Sequence, residues 1–246
     1  LPDGQDPVSV SYDWSLRKWL PVARPWVASN GLSYAYSDRQ GSLHVVDAAS
    51  SADRSVNNDH LWAVVDYAPE GIYAAARASA SQPPGGLWLI DAASGTARMI
   101  ASTGDWEFVG AHTAYGLASP HYAPPNIVYG NDLVVLDLNT GRATTMYTRT
   151  DDTFRLLGLD SNGNPYIATW HINIGAGSAM MEVTAPGTVS AVQGGGIWSN
   201  VLADGDRTWF GEAYGEGVWL KDSAGVRRLA QVGYSGPGPQ PAGGCR

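Results

Sequence analysis

The segment "GLWLIDAASGTARMI" (86–100) combines an apolar run, an acid, a small-residue turn and a second short run. Five further segments share this pattern: "SVSYDWSLRKWLPV" (9–22), "SLHVVDAASSADRSV" (42–56), "DLVVLDLNTGRATTM" (132–146), "AMMEVTAPGTVSAV" (179–192) and "GVWLKDSAGVRRLA" (217–230). Each reads as strand, turn, strand. The turn opens on Asp13, Asp47, Asp91, Asp137 or Asp222, and on Thr184 in the remaining copy. A side-chain oxygen at that position accepts hydrogen bonds from turn N–H groups, which predicts a structural role for these acids rather than a catalytic one.

A second hairpin class precedes five of these copies and opens on Trp26, Trp62, Trp106, Phe154 and Trp198, spaced 36, 44, 48 and 44 residues apart. Two hairpins per period of that length make a four-stranded propeller blade, with strands named A to D from the inside. Amphipathic helical spacing is almost absent, and 30 Gly and 15 Pro in 246 residues suit short strands and tight turns. The expected fold is all-β: a six-bladed β-propeller forming one domain over 1–246. Its blades fall near 26–57, 62–101, 106–148, 154–193 and 198–232, and a closing blade is shared by 9–22 and 234–246. A five-bladed ring with a packed N-terminal hairpin is the alternative. The opening aromatics are expected to pack between blades, and His44 to pack in a slot held elsewhere by Val10, Trp88, Val134, Met181 and Trp219.

"WVASNGLSYAYSDRQGSLHVVDAAS" (26–50) resembles the WD40-like repeat of TolB-type bacterial β-propellers, and "LWLIDAASG" and "VVLDLNTG" resemble the same broad superfamily. That resemblance implies the fold and little about function, because such propellers serve many roles. "ADGDRTWFGEA" (203–213) is similar to a blade hairpin of streptogramin-lyase-type propellers, whose activity uses His and Glu with a divalent metal. It implies Glu212 as a candidate on the strength of one hairpin.

A formal net charge of −8, with no Lys/Arg cluster, excludes a nucleic-acid partner. The apolar runs are too short to cross a bilayer. One cysteine, Cys245, allows no internal disulfide, no Asn-X-Ser/Thr acceptor occurs, and the chain opens on Leu1. These features suit an exported bacterial protein, extracellular or periplasmic.

Alternating strands put the A–B and C–D turns on one face of a ring and the B–C and D–A loops on the other. The first face carries regular turns, including "DSNGN" (160–164) and "ADGDR" (203–207), which lack the ligand series of a Ca²⁺ loop. His112 belongs to this face, so it and His121 should lie at opposite ends of a strand. The second face holds the long B–C loops "SPHYAPPNIVYGN" (119–131) and "HINIGAGS" (171–178) and the D–A connection "TRTDD" (148–152). They are expected to gather His121, Tyr122, Tyr129, Asp151, Asp152 and His171 into a ligand-binding site. His121, His171, Asp151 and Tyr122 are its catalytic candidates. Acids recur in the D–A loops as Asp59, Asp105, Asp151 and Asp152, a pattern suited to a cation or basic partner.

Aromatic faces with polar acceptors suit a glycan, small molecule or peptide. The two imidazoles and two carboxylates could hold a divalent cation, although no cofactor is required. A His–Tyr–Asp group could also shuttle a proton. No G-x-S-x-G, HExxH, CxxC, P-loop or GxGxxG motif is present. The first reading is therefore a non-catalytic ligand- or protein-binding module. The second is a secreted lyase or hydrolase on a carbohydrate or lactone-like substrate, and the third a structural assembly module.

Overall fold

A computed structural model describes residues 10–13, 15–77, 85–118, 121–123, 127–150, 152–170, 177–194, 197–213 and 217–231. Among them are 23 strands, one 3-10 turn and no α-helix. In chain order, β1 (Ser11–Asp13) and β2 (Lys18–Leu20) form a two-stranded sheet, and β3 (Ser33–Ser37), β4 (Leu43–Asp47) and β5 (Asp53–Asn57) a three-stranded one. β6 (Trp62–Ala68), β7 (Gly71–Ala76), β8 (Leu87–Ile90) and β9 (Ala97–Ala101) form the first four-stranded sheet. The next contains β10 (Asp105–Val109), β11 (Thr113–Leu117), β14 (Asp132–Asp137) and β15 (Ala143–Thr148). Between β11 and β14, the chain makes a separate hairpin of β12 (His121–Ala123) and β13 (Ile127–Tyr129).

Two more four-stranded sheets follow. One contains β16 (Thr153–Leu159), β17 (Pro165–Trp170), β18 (Gly177–Ala185) and β19 (Thr188–Gly194). The other contains β20 (Ile197–Asp204), β21 (Arg207–Ala213), β22 (Gly217–Asp222) and β23 (Gly225–Gln231). In the larger sheets strand order follows chain order, as in a propeller blade. The chain divides into two compact units, residues 1–109 with 138–142 and residues 110–137 with 143–245.

The repeat is exact enough to place irregularities. β4, β8, β14, β18 and β22 each carry a register shift against the following strand, between Leu43/His44, Leu87/Trp88, Leu133/Val134, Met180/Met181 and Val218/Trp219. The second residue of each pair occupies the His44 slot. A bulge there bends the strand and sharpens its twist at the same point in these five sheets.

The first sheet departs from the expected blade. Its A strand is replaced by a 3-10 turn, Arg24–Trp26, and a single bridge, Val27↔Tyr34. Pro25 explains the change: it has no N–H for a ladder, and its fixed φ suits the first turn of a helix. The closing partner expected for β1 and β2, residues 234–246 with Cys245, lies outside the described residues.

The turn acids behave as their positions predict. Asp47 Oδ1 accepts from Ala49 N (3.1 Å), Ser50 N (2.7 Å) and Ser50 Oγ (2.7 Å). Asp91 Oδ1 repeats the pattern with Ala93 N (3.1 Å), Ser94 N (2.6 Å) and Ser94 Oγ (2.8 Å). Asp13 takes Ser15 Oγ (2.6 Å) and Leu16 N (3.0 Å). Asp222 takes Ala224 N (2.9 Å) and a two-pronged Arg227 pair at 2.8 and 2.6 Å. The bonds from Ser50, from Ser94 and from Arg227 hold Asp47, Asp91 and Asp222 below the ordinary carboxylate range, Asp222 at about 2.

Aromatic openers fill the core. Trp62, Phe154, Trp198 and Trp106 are all buried. In the first unit Trp62 packs with Leu43, Val45, Ile72 and Ile90, with Trp26 and Trp88 against the cluster. Asn57 ties this core to its surroundings: its amide donates to Gly95 O (2.8 Å), and its Oδ1 accepts from Asp59 N and Trp62 Nε1, both at 2.9 Å. In the second unit Trp198 lies edge-on to Phe210 and Trp219, with centroids 5.4 and 5.7 Å away.

Candidate functional site

Within the expected loop, residues 121–123 and 127–129 form a pair of strands. β12 and β13 pair antiparallel with His121 opposite Tyr129, Tyr122 opposite Val128 and Ala123 opposite Ile127.

Three ties join the base of this hairpin to the D–A connection and the start of β16. Gly130 and Phe154 exchange both backbone hydrogen bonds at 2.8 Å. Asn131 Nδ2 donates to Arg149 O (3.1 Å) and Asp152 O (3.0 Å). Arg149 N donates to Asn131 O (2.9 Å). Two of the three variable segments are thus fastened together, and the half-buried Asp152 carboxylate is held by Arg149 at 2.9 Å. Asp151 and His171 lie outside the described residues.

His112, exposed in the turn before β11, lies at the opposite end of that strand from the β12–β13 hairpin. The "DSNGN" segment is a tight turn in which Asp160 Oδ1 accepts from Asn162 N (2.9 Å) and Asn164 N (2.7 Å). Glu212 accepts from Trp219 Nε1 at 3.2 Å. Asp59 is engaged by Asn57, whose amide reaches it at 3.2 Å. Among the described residues, no three His, Cys, Asp or Glu side chains are grouped as metal ligands would be.

Two features escaped the sequence. His44 does pack, stacked on Tyr36 with centroids 4.8 Å apart, but it also bridges two carboxylates, Asp53 at 3.0 Å and Asp38 at 3.4 Å. Tyr36 Oη donates to the same Asp53 at 2.5 Å, and burial with that bond raises the phenol well above its usual range. A run of alternating Tyr, His and Asp on paired strands was the available signal, hidden because the repeat assigned His44 to packing. The second feature is His60, whose ring lies 4.8 Å from Trp62 and 5.0 Å from Trp88 on the first unit's core.

Comparison with solved structures gives a consistent fold. An oligogalacturonate lyase in complex with manganese matches with a TM-score of 0.58 and 9% identity, over 85% of this chain and 64% of that one. TolB from Acinetobacter baumannii matches with a TM-score of 0.53 and 16% identity, over 81% of this chain and 52% of that one. A putative TolB from Agrobacterium tumefaciens matches with a TM-score of 0.56 and 13% identity, over 89% and 86%. No family model and no curated protein matches. The chain therefore shares the fold of the TolB-type β-propellers, in line with its sheets and with the resemblance of its repeats. The chain spans less than two thirds of the length of the first two of these structures.

Proposed function

We propose that this chain is a ligand- or protein-binding propeller module whose site is the loop face carrying the β12–β13 hairpin. The observation that carries the reading is the hairpin itself, an ordered insertion between β11 and β14 of a sheet whose other elements follow the repeat. The Gly130 backbone pair with Phe154 and the Asn131 side-chain and backbone bonds fix its base to the start of β16 and to the D–A connection. A preformed platform lowers the ordering cost of binding. His121, Tyr122 and Tyr129 supply aromatic and polar recognition from the hairpin; Asp151, Asp152 and His171 complete the set. A polyhydroxylated ligand suits it, because ring stacking and directed hydrogen bonds then act together.

The propeller is taken to have six blades, closed by pairing 9–22 with 234–246, and to belong to an exported protein. No helix among the described residues is long and apolar enough to cross a membrane. The likeness to an oligogalacturonate lyase gives weight to a second reading, carbohydrate lyase or hydrolase action on the same face, with a His–carboxylate pair moving the proton.

A thermal-shift screen over glycans, peptides and metal ions, repeated with chelator, separates the two. Native-state ligands raise the apparent Tm by mass action. The binding reading expects hits that survive chelation and weaken in His121→Ala or His171→Ala, without turnover. Hits that vanish with chelator, or turnover lost in His171→Ala or Asp151→Ala, would favour the enzyme.

A further inference from the structure

One ladder position recurs in five sheets, and a single one of its occupants is ionisable. His44, Trp88, Val134, Met181 and Trp219 each stand at the register shift against the following strand, where the ladder is locally interrupted. Trp88 and Trp219 cover that point with indoles packed edge-on to Trp62 and Trp198. His44 covers it with polar contacts. Its Nδ1 lies 3.0 Å from Asp53 Oδ1 on β5, and its Nε2 lies 3.4 Å from Asp38 Oδ2 in the β3–β4 turn. A neutral imidazole has one N–H and donates to only one of these carboxylates. Both are served only when both ring nitrogens carry a proton.

The surroundings hold the three groups in register. The His44 ring stacks on Tyr36, with centroids 4.8 Å apart and planes 20° apart. Tyr36 Oη donates to Asp53 Oδ2 at 2.5 Å, and Asp38 Oδ1 accepts from Ser42 N at 2.8 Å. Neither carboxylate is therefore free to turn away. Tyr34, Tyr36 and Val46 mark this face of the sheet, which packs on the β1–β2 segment, whereas Val45 packs on the opposite face. The cations of the facing elements are committed elsewhere or exposed. Lys18 donates to Ala48 O (3.1 Å) and Ser51 Oγ (3.2 Å), the Arg24 charge acts on Asp13, and Arg17 is exposed in its turn.

β5 also carries the joint to the next sheet of the same unit. Arg54 donates to the carbonyls of Ala92 and Ala93, and the Asn57 amide donates to Gly95 O at 2.8 Å. Whatever fastens β5 to β4 thus steadies the contact between β3–β5 and β6–β9.

We propose that Asp38, His44 and Asp53 form a pH-responsive clasp, which fastens β5 while the ring carries both protons and lets it fray when one is lost. The joint between the two sheets loosens with it as pH rises. The clasp is separate from the β12–β13 hairpin and does not rest on the binding reading.

Hydrogen exchange read by mass spectrometry from about pH 5.5 to 8, where imidazoles change charge, tests it. The parent is the Asp66→Asn chain, because the Asp66 carboxylate would add a slope of the same sign. After correction for intrinsic exchange, protection of residues 43–47 and 53–57 should fall by roughly threefold to fivefold across that range, the scale of a partly exposed ion pair. β16–β19 should show no matching change, and the His44 ring ¹⁵N resonances should titrate with the same midpoint. His44→Gln should flatten the profile. Asp38→Asn, which keeps the acceptor for Ser42 N, should shrink it and decides the matter if His44→Gln does not fold. Protection independent of pH in the parent, a midpoint different from that of the ring, or a profile unchanged in either folded variant overturns the proposal.

Discussion

Asp66 sits on β6 opposite Tyr73, and burial pushes its carboxyl up to about 7, with the Tyr67 backbone bond opposing and the Glu70 charge adding to the shift. An unfolded Asp titrates near 3.9. Between about pH 4 and 7 the folded chain therefore holds a proton that the unfolded chain has released. Stability should fall as pH rises through that window, by roughly 2–4 kcal/mol in total. Asp66→Asn should remove this slope in urea unfolding and be more stable than wild type at pH 8. A wild-type slope unchanged in the variant would remove Asp66 as its source. The turn acids have the opposite sign: Asp47, Asp91 and Asp222 are depressed, so their support is present above the unfolded pKa and lost as pH falls, for Asp222 between about 4 and 2. Asn57 is the residue whose loss is felt most locally. Asn57→Ala orphans the Trp62 indole N–H and the Gly95 carbonyl, and should cost about 2–3 kcal/mol by chemical denaturation.

At the scale of the elements, the hairpins carry the account. Gly158 (φ +151°) lies where an added Cβ would stand 2.3 Å from Val201 O, whereas Gly163 (φ +81°) opens onto empty space. Gly158→Ala should cost about 3 kcal/mol or more and Gly163→Ala about 1 kcal/mol; equal Tm losses would contradict the close approach. The sheets were legible because their pattern recurs: an acid in the turn, an aromatic at the start, apolar alternation between them. Even the recurrent bulges fall in the slot that aligned His44 with Trp88 and Trp219. The failures were local. Pro25 removed a strand that the repeat alone predicted, and the Asp38–His44–Asp53 bridge depends on side chains brought together only by pairing. The β12–β13 pairing was hidden because "SPHYAPPNIVYGN" carries Pro-rich loop composition, while its ties to the D–A connection run from backbone groups and from the Asn131 amide to carbonyls 18 and 21 residues on, which no local pattern announces.

At the scale of the whole molecule, the six-bladed closure and the loop-face site make separate demands. If 9–22 and 234–246 share a blade, removing residues 234–246 should lower Tm about as much as removing 1–22, and removing both should cost little more than either. Additive losses would favour the five-bladed alternative. The site is tested most directly by replacing residues 120–129 with a short Gly-Asn-Gly turn and titrating the chain with the strongest ligand from the screen. The account predicts that binding is lost while the far-UV circular dichroism and Tm stay near wild type. Undiminished affinity in the shortened chain would contradict it.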